Sequence, residues 1–202
     1  MSAALRPQPR RQAYSAIVVG GSAGSVEALA VLLPALPTTL RSAVLVVLHL
    51  PRDRSSLLTQ IFHTRCALPL QEAQDHDAIE PGRVYFAPPD YHLLVDVGPR
   101  AALSVDAPVH YSRPSIDVLF ESAADLYGSQ LVGILLSGAN EDGALGLAHV
   151  RAIGGLTIVQ DPATAAMPAM PQAALARSAA DHILPPEGIA ALLAQLHYRN
   201  LL

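Results

Sequence analysis

Short apolar runs recur along this chain with helix-length stretches between them: Ala16-Ile17-Val18-Val19, Ala43-Val44-Leu45-Val46-Val47-Leu48, Arg83 to Ala87, Leu131 to Leu136, Leu156 to Gln160 and a shorter His182 to Leu184. An uninterrupted apolar strand needs cover on both faces, and strands that alternate with helices pair in parallel because each crossover carries the chain back to the same end of the sheet. The pattern predicts an α/β fold, doubly wound, with a mostly parallel sheet and helices on both faces. The helices are expected at Ser25 to Leu33, Ser55 to Thr64, Ser115 to Tyr127, Ala144 to Ile153, Pro171 to Ser178 and Glu187 to His197. Tyr91 to Asp96 and Ala102 to Asp106, divided by Gly98-Pro99, read instead as an added antiparallel hairpin, which would make the sheet mixed.

With 202 residues, 51% of them hydrophobic, the chain can bury one substantial core, and no linker-like stretch divides it. One domain is expected over residues 15–202, after a Pro- and Arg-containing lead-in over residues 1–14 that has no apolar period and reads as disordered. The net charge of −4 is spread without a basic face, which argues against nucleic acid as a partner. The lone Cys66 excludes an internal disulfide and a cysteine-based metal cluster. The apolar run after Arg10-Arg11 breaks at Gly20-Gly21, too soon for a secretory core or a membrane span, so a cytoplasmic protein is the default expectation.

Gly20-Gly21-Ser22-Ala23-Gly24-Ser25 places a serine between glycines where the first strand gives way to a helix. Such a turn exposes a nucleophile, and the following helix aims unpaired N–H groups at the same point. Strand, glycine turn and helix also describe a dinucleotide site, but that site needs Gly-x-Gly-x-x-Gly and an acidic residue closing the next strand. Here Ser22 occupies the second glycine position and the next strand ends in His49. In an open α/β sheet ligands gather at the carboxyl ends of the strands. Ser22, His49 and the loop Ser137-Gly138-Ala139-Asn140-Glu141-Asp142-Gly143 all emerge there, offering the hydroxyl, imidazole and carboxylate that acyl transfer requires.

Six blocks in order resemble one family, the CheB chemotaxis protein-glutamate methylesterases. They are Gly20 to Gly24, His49-Leu50-Pro51, Pro81-Gly82 with Tyr85 to His92, Arg113 to Phe120, Leu136-Ser137-Gly138 through Asp142-Gly143-Ala144, and Gln160-Asp161-Pro162 with Met170 to Ala174. The resemblance covers about residues 15 to 195. It implies Ser22 as nucleophile, His49 as general base and Asp142 as orienting carboxylate, with backbone N–H groups of Ala23 and of a residue near Ala139 facing the oxyanion. No metal or cofactor is implied. The expected substrate is a methylated chemoreceptor-type protein, met at the membrane without insertion, and a separate response regulator is a candidate second partner. Glutamine deamidation is a related activity of the family, and a regulatory or scaffold domain without turnover is the alternative. Family members usually carry an N-terminal receiver domain, whereas here a short lead-in precedes the first strand. Ser25 stands where the family prefers glycine, able to cap the helix or to narrow the space above Ser22, and Asn140-Glu141 replaces Gly-Asn.

The remaining candidates read as structural. His63, His76, His92, His110, His149, His182 and His197 are scattered, and an isolated histidine is more often structural or solvent-facing. Asp75-His76-Asp77 looks like a metal cluster, but neighbours in an extended segment point to opposite sides, so it reads as a solvated loop. Asp161, the rival carboxylate to Asp142, precedes Pro162 and is expected to shape that turn. Arg113 is expected to brace a helix start, with receptor contact as the alternative. Met167 and Met170 are expected to pack.

Overall fold

The computed structural model describes residues 13–49 and 57–202. Seven strands form one sheet: β1 (Ala16–Gly21), β2 (Ala43–Leu48), β3 (Leu70–Glu72), β4 (Val84–Phe86), β7 (Leu131–Leu135), β8 (Leu156–Gln160) and β9 (His182–Leu184). Their order is β3-β4-β2-β1-β7-β8-β9, and every pairing is parallel. The hairpin, β5 (His92–Asp96) and β6 (Arg100–Ser104), forms a separate antiparallel pair. The expected mixed sheet is therefore corrected to an all-parallel sheet with a detached hairpin. β5 and β6 bury Leu93, Val95 and Ala101 under α3 (Ile116–Tyr127), and the Val95 N–H donates to Ser122 Oγ of that helix at 3.1 Å. The short edge strand β3 was not expected, since Leu70-Gln71-Glu72 has no apolar run to mark it.

Alternation along the central strands feeds two cores. Ile17, Val19, Val44, Val46 and Leu48 face the side covered by α1 (Ser25–Leu32), α2 (Leu58–His63) and α6 (Pro186–Tyr198). Ala16, Val18, Leu45 and Val47 face α3, α4 (Ala144–Ala152) and α5 (Ala169–Arg177). Both faces being apolar is what a parallel interior sheet requires, because each face carries a helix layer. Helix boundaries fall within about two residues of the sequence expectation, the usual scatter of helix ends, except that the expected start of α2 at Ser55 lies outside the described residues, as does the expected lead-in up to residue 12. Tyr14, placed in that lead-in, already belongs to the fold: its N–H donates to Leu201 O at 2.8 Å.

The strand order reverses about β1. Its neighbours are β2 on one side and β7 on the other, so the chain leaves the sheet centre in both directions and opens a crevice at the carboxyl edge between them. The turn after β1, the residue after β2 and the loop after β7 share that crevice. No described helix is long and apolar enough to cross a membrane.

Candidate active site

β1 and β2 run in register, with Gly21 opposite Leu48, so Ser22 and His49 are the next residues out from adjacent strands. The His49 N–H holds Gly21 O at 3.2 Å and the Ser22 N–H holds Ser137 O at 2.9 Å. Ser22 is thus pinned between the ends of β2 and β7. Gly24, at φ +77°, is the N-cap of α1. A Cβ there would stand 2.5 Å from Ala166 Cβ, so this position requires glycine both for its backbone and for its contact.

The Ser25 side chain is fully buried. Its hydroxyl donates to the Ser22 carbonyl, and it packs where a Cβ on Gly21 would come within 2.6 Å of Ser25 Cβ. It makes no side-chain cap on α1. The expected helix cap is therefore not made; the side chain instead ties down the Ser22 peptide.

Asp142 is wholly buried and accepts four hydrogen bonds. Oδ2 receives His49 Nε2 at 2.8 Å and the Ile116 N–H at 2.7 Å. Oδ1 receives the Ser115 hydroxyl at 2.8 Å and the Asp117 N–H at 3.0 Å. Three of these come from the start of α3, where N–H groups lack helical partners and the dipole favours an anion. Burial alone would raise the carboxyl, but the His49 bond and the two backbone N–H groups outweigh it and hold Asp142 below the ordinary carboxylate range. Because an ionised carboxylate only accepts, Nε2 carries the proton and the His49 lone pair lies on Nδ1.

That nitrogen faces a residue the sequence did not single out, Ser112, whose Oγ is 3.3 Å away. The structure therefore joins His49 to Asp142 directly, whereas the Ser22 hydroxyl makes no hydrogen bond among the described residues. Ser115, where a helix was expected to begin, was also missed as a site residue; it is the N-cap of α3. His92 braces it from behind: the Ser115 N–H donates to His92 Nδ1 at 3.1 Å, leaving Nε2–H for Ala107 O at 3.2 Å.

Asp117, in the first turn of α3, has a side chain 5% exposed that receives the Gly146 N–H at 2.7 Å. Burial pushes its carboxyl up to about 6, the Gly146 bond opposing and the nearby Asp142 charge reinforcing. His110 lies 3.4 Å from Asp117 and 3.5 Å from Glu141. The hub of the other wall is Ser137. Its hydroxyl donates to Ala23 O at 2.7 Å and accepts the Met167 N–H at 2.9 Å, while its own N–H meets Gln160 Oε1 at 2.9 Å.

Arg113 spends its donors on Asp90 and on the Val105 and Asp106 carbonyls, a brace between the hairpin exit and α3. Asp161 accepts the Ala163 N–H and shapes its own turn. Asp75-His76-Asp77 is the expected loop, a turn with His76 at φ +66°. Its carboxylates hold the Leu103 and Gln74 N–H groups and the Gln71 amide. No group of three or more His, Cys, Asp or Glu able to hold a metal occurs among the described residues. Met170 is buried against Gly138 as expected, whereas Met167 is exposed and does not pack into the core, and burial pushes the Cys66 thiol up, away from reactivity.

A doubly wound α/β domain with serine, histidine and a buried carboxylate at the carboxyl edge of its three central strands defines the class, a hydrolase-type α/β fold. Residues 17–193 match the CheB methylesterase family, and the chain belongs to that family. A Leptospira interrogans protein provisionally named a protein-glutamate methylesterase/protein-glutamine glutaminase is 41% identical over 93% of this chain and 97% of its own length. A Rhodospirillum rubrum protein-glutamate methylesterase/protein-glutamine glutaminase is 42% identical over 89% of this chain but 50% of its own length, so the chain spans about half of that relative. The crystal structure of the Thermotoga maritima CheB methylesterase catalytic domain superposes with a TM-score of 0.86 at 29% identity, covering 91% of this chain and 99% of that one.

Proposed function

We propose that this chain hydrolyses methyl esters of glutamate side chains on chemoreceptor-type proteins, with Ser22 as nucleophile, His49 as general base and Asp142 as the carboxylate that orients and charges it. The observation that carries this reading is the His49 Nε2 to Asp142 bond at 2.8 Å, on a fully buried carboxylate, at the strand end next to Ser22. Ser22 Oγ attacks the ester carbonyl while its proton passes to His49 Nδ1. The imidazolium, stabilised by Asp142, returns that proton to methanol as it leaves, and a water deprotonated at the same nitrogen then cleaves the glutamyl-Ser22 ester. The Ala23 and Ala139 N–H groups, which meet no acceptor among the described residues, are the donors for the oxyanion. A glutamine substrate would traverse the same acyl intermediate with ammonia as the leaving group.

The experiment is methanol release from a carboxyl-methylated receptor fragment, comparing the protein with Ser22→Ala, His49→Ala and the double variant. Residues that act as one unit lose similar activity singly and little more together. Substantial release by Ser22→Ala would overturn the assignment.

A further inference from the structure

His49 has one lone pair with which to take a proton, and in this structure it faces Ser112, not Ser22. Nε2 is committed to Asp142, so Nδ1 must accept, and the hydroxyl within reach is Ser112 Oγ at 3.3 Å. The alternative acceptor for that hydroxyl, His110 O, lies at 3.4 Å. Ser112 is held where it is by a tight turn, the Val109 N–H to Ser112 O at 3.1 Å and the Ser112 N–H to Val109 O at 2.8 Å. The turn's two central residues, His110 and Tyr111, sit at φ +48° and +62°, a conformation non-glycine residues adopt only when the surroundings enforce it. Those surroundings belong to the site. Asn140 Nδ2 reaches His110 O at 3.5 Å, and the His110 ring lies between Asp117 and Glu141. Immediately after the turn, Arg113 is clamped to Asp90 and two carbonyls.

We infer that Ser112 is a positioning residue that holds the His49 base in a resting orientation, competing with Ser22 for Nδ1 until substrate binding releases the ring. This inference rests on the assignment of Ser22, His49 and Asp142 made above. It requires no new bond chemistry: one hydroxyl donor replaces another at the same nitrogen. A hydroxyl on this turn restrains the nucleophile, whereas a merely structural Ser112 would lower reactivity when removed.

The test is the rate at which a small fluorophosphonate labels the full chain, a probe that needs the activated serine but not receptor contacts. Ser112→Ala and Ser112→Val, lacking the hydroxyl, are expected to label about two- to tenfold faster, the factor set by one ordinary net hydrogen bond. Ser112→Thr, which has the shape of valine but keeps the hydroxyl, is expected to label at the starting rate. Equal or slower labelling of both Ala and Val relative to Thr overturns the inference. Labelling that persists in Ser22→Ala would instead refute the nucleophile assignment, whatever the Ser112 series shows.

Discussion

Asp142→Asn isolates what the buried carboxylate does. The acid accepts two donors on each oxygen, and asparagine can present an oxygen to only one pair. If its NH2 takes the Oδ2 position it faces the Ile116 N–H, at 2.7 Å from that oxygen in the acid; if it takes Oδ1 it faces the Asp117 N–H, at 3.0 Å. One buried backbone donor therefore loses its acceptor in either orientation, and the bonds that remain lose their charge. Together these cost about 3 kcal/mol, or roughly 6–12 °C in Tm for a domain of this size.

The effect on turnover is larger. With NH2 toward His49, the ring flips its tautomer, and Nδ1 then carries the proton and cannot accept another from Ser22. With the amide oxygen toward His49, the tautomer survives but the imidazolium loses its counter-charge. A fall of about 10⁴ in kcat is expected. The assay is ester hydrolysis alongside urea unfolding, at pH 7 and in the acid range. Because the folded pKa of Asp142 is depressed, its contribution to stability is full above the ordinary carboxylate value and disappears as pH falls through the lower, folded value. The variant should lose that acid dependence. Turnover within tenfold of the unaltered protein, or an unchanged melting temperature, would refute the reasoning.

Asp117 behaves in the opposite sense. With its carboxyl raised to about 6, the folded protein holds that proton more tightly than the unfolded chain, so stability falls as pH rises from about 4 to about 6 and then levels off. Asp117→Asn, which can still accept from Gly146 and no longer carries a charge beside Asp142, His110 and Glu121, should remove this fall and raise stability at pH 7 by roughly 2 kcal/mol, read from urea midpoints across that range. Gly143→Ala must hold φ +91° with its Cβ 2.5 Å from Leu135 Cδ1 and 2.6 Å from Ile116 Cγ2. It should cost about 2–4 kcal/mol against about 1 kcal/mol for Gly98→Ala, whose Cβ meets nothing within 4 Å at φ +84°, as compared by thermal melts. Ser115→Ala removes both a donor to Asp142 and the cap of α3, and should cost about 1–2 kcal/mol in denaturant unfolding.

The strand runs and the glycine turn were legible because burial on both faces and a positive φ favour a local composition: Ala43 to Leu48 reads as an interior strand, and Gly20 to Gly24 as a turn. The hairpin was legible as a hairpin, yet nothing in Tyr91 to Asp106 says whether it joins the main sheet or lies on α3, since either partner would bury the same Leu93 and Val95. Likewise β3 is too short and too polar to announce itself, and exists because β4 offers an unpaired edge.

For the site, the sequence by itself determined which chemistry the carboxyl edge could hold, because strand ends in a parallel sheet all point to one crevice, and Ser22, His49 and the Asp142 loop close three such strands. Only the tertiary structure decided that Asp142 is fixed by the start of α3, that the Ser25 hydroxyl turns back to the Ser22 carbonyl, and that His49 meets Ser112. Those contacts join segments 26, 27 and 63 residues apart or turn on a side chain's rotamer, and hydrogen-bond pairing at such separations leaves no periodicity in sequence: it is fixed by how the layers pack.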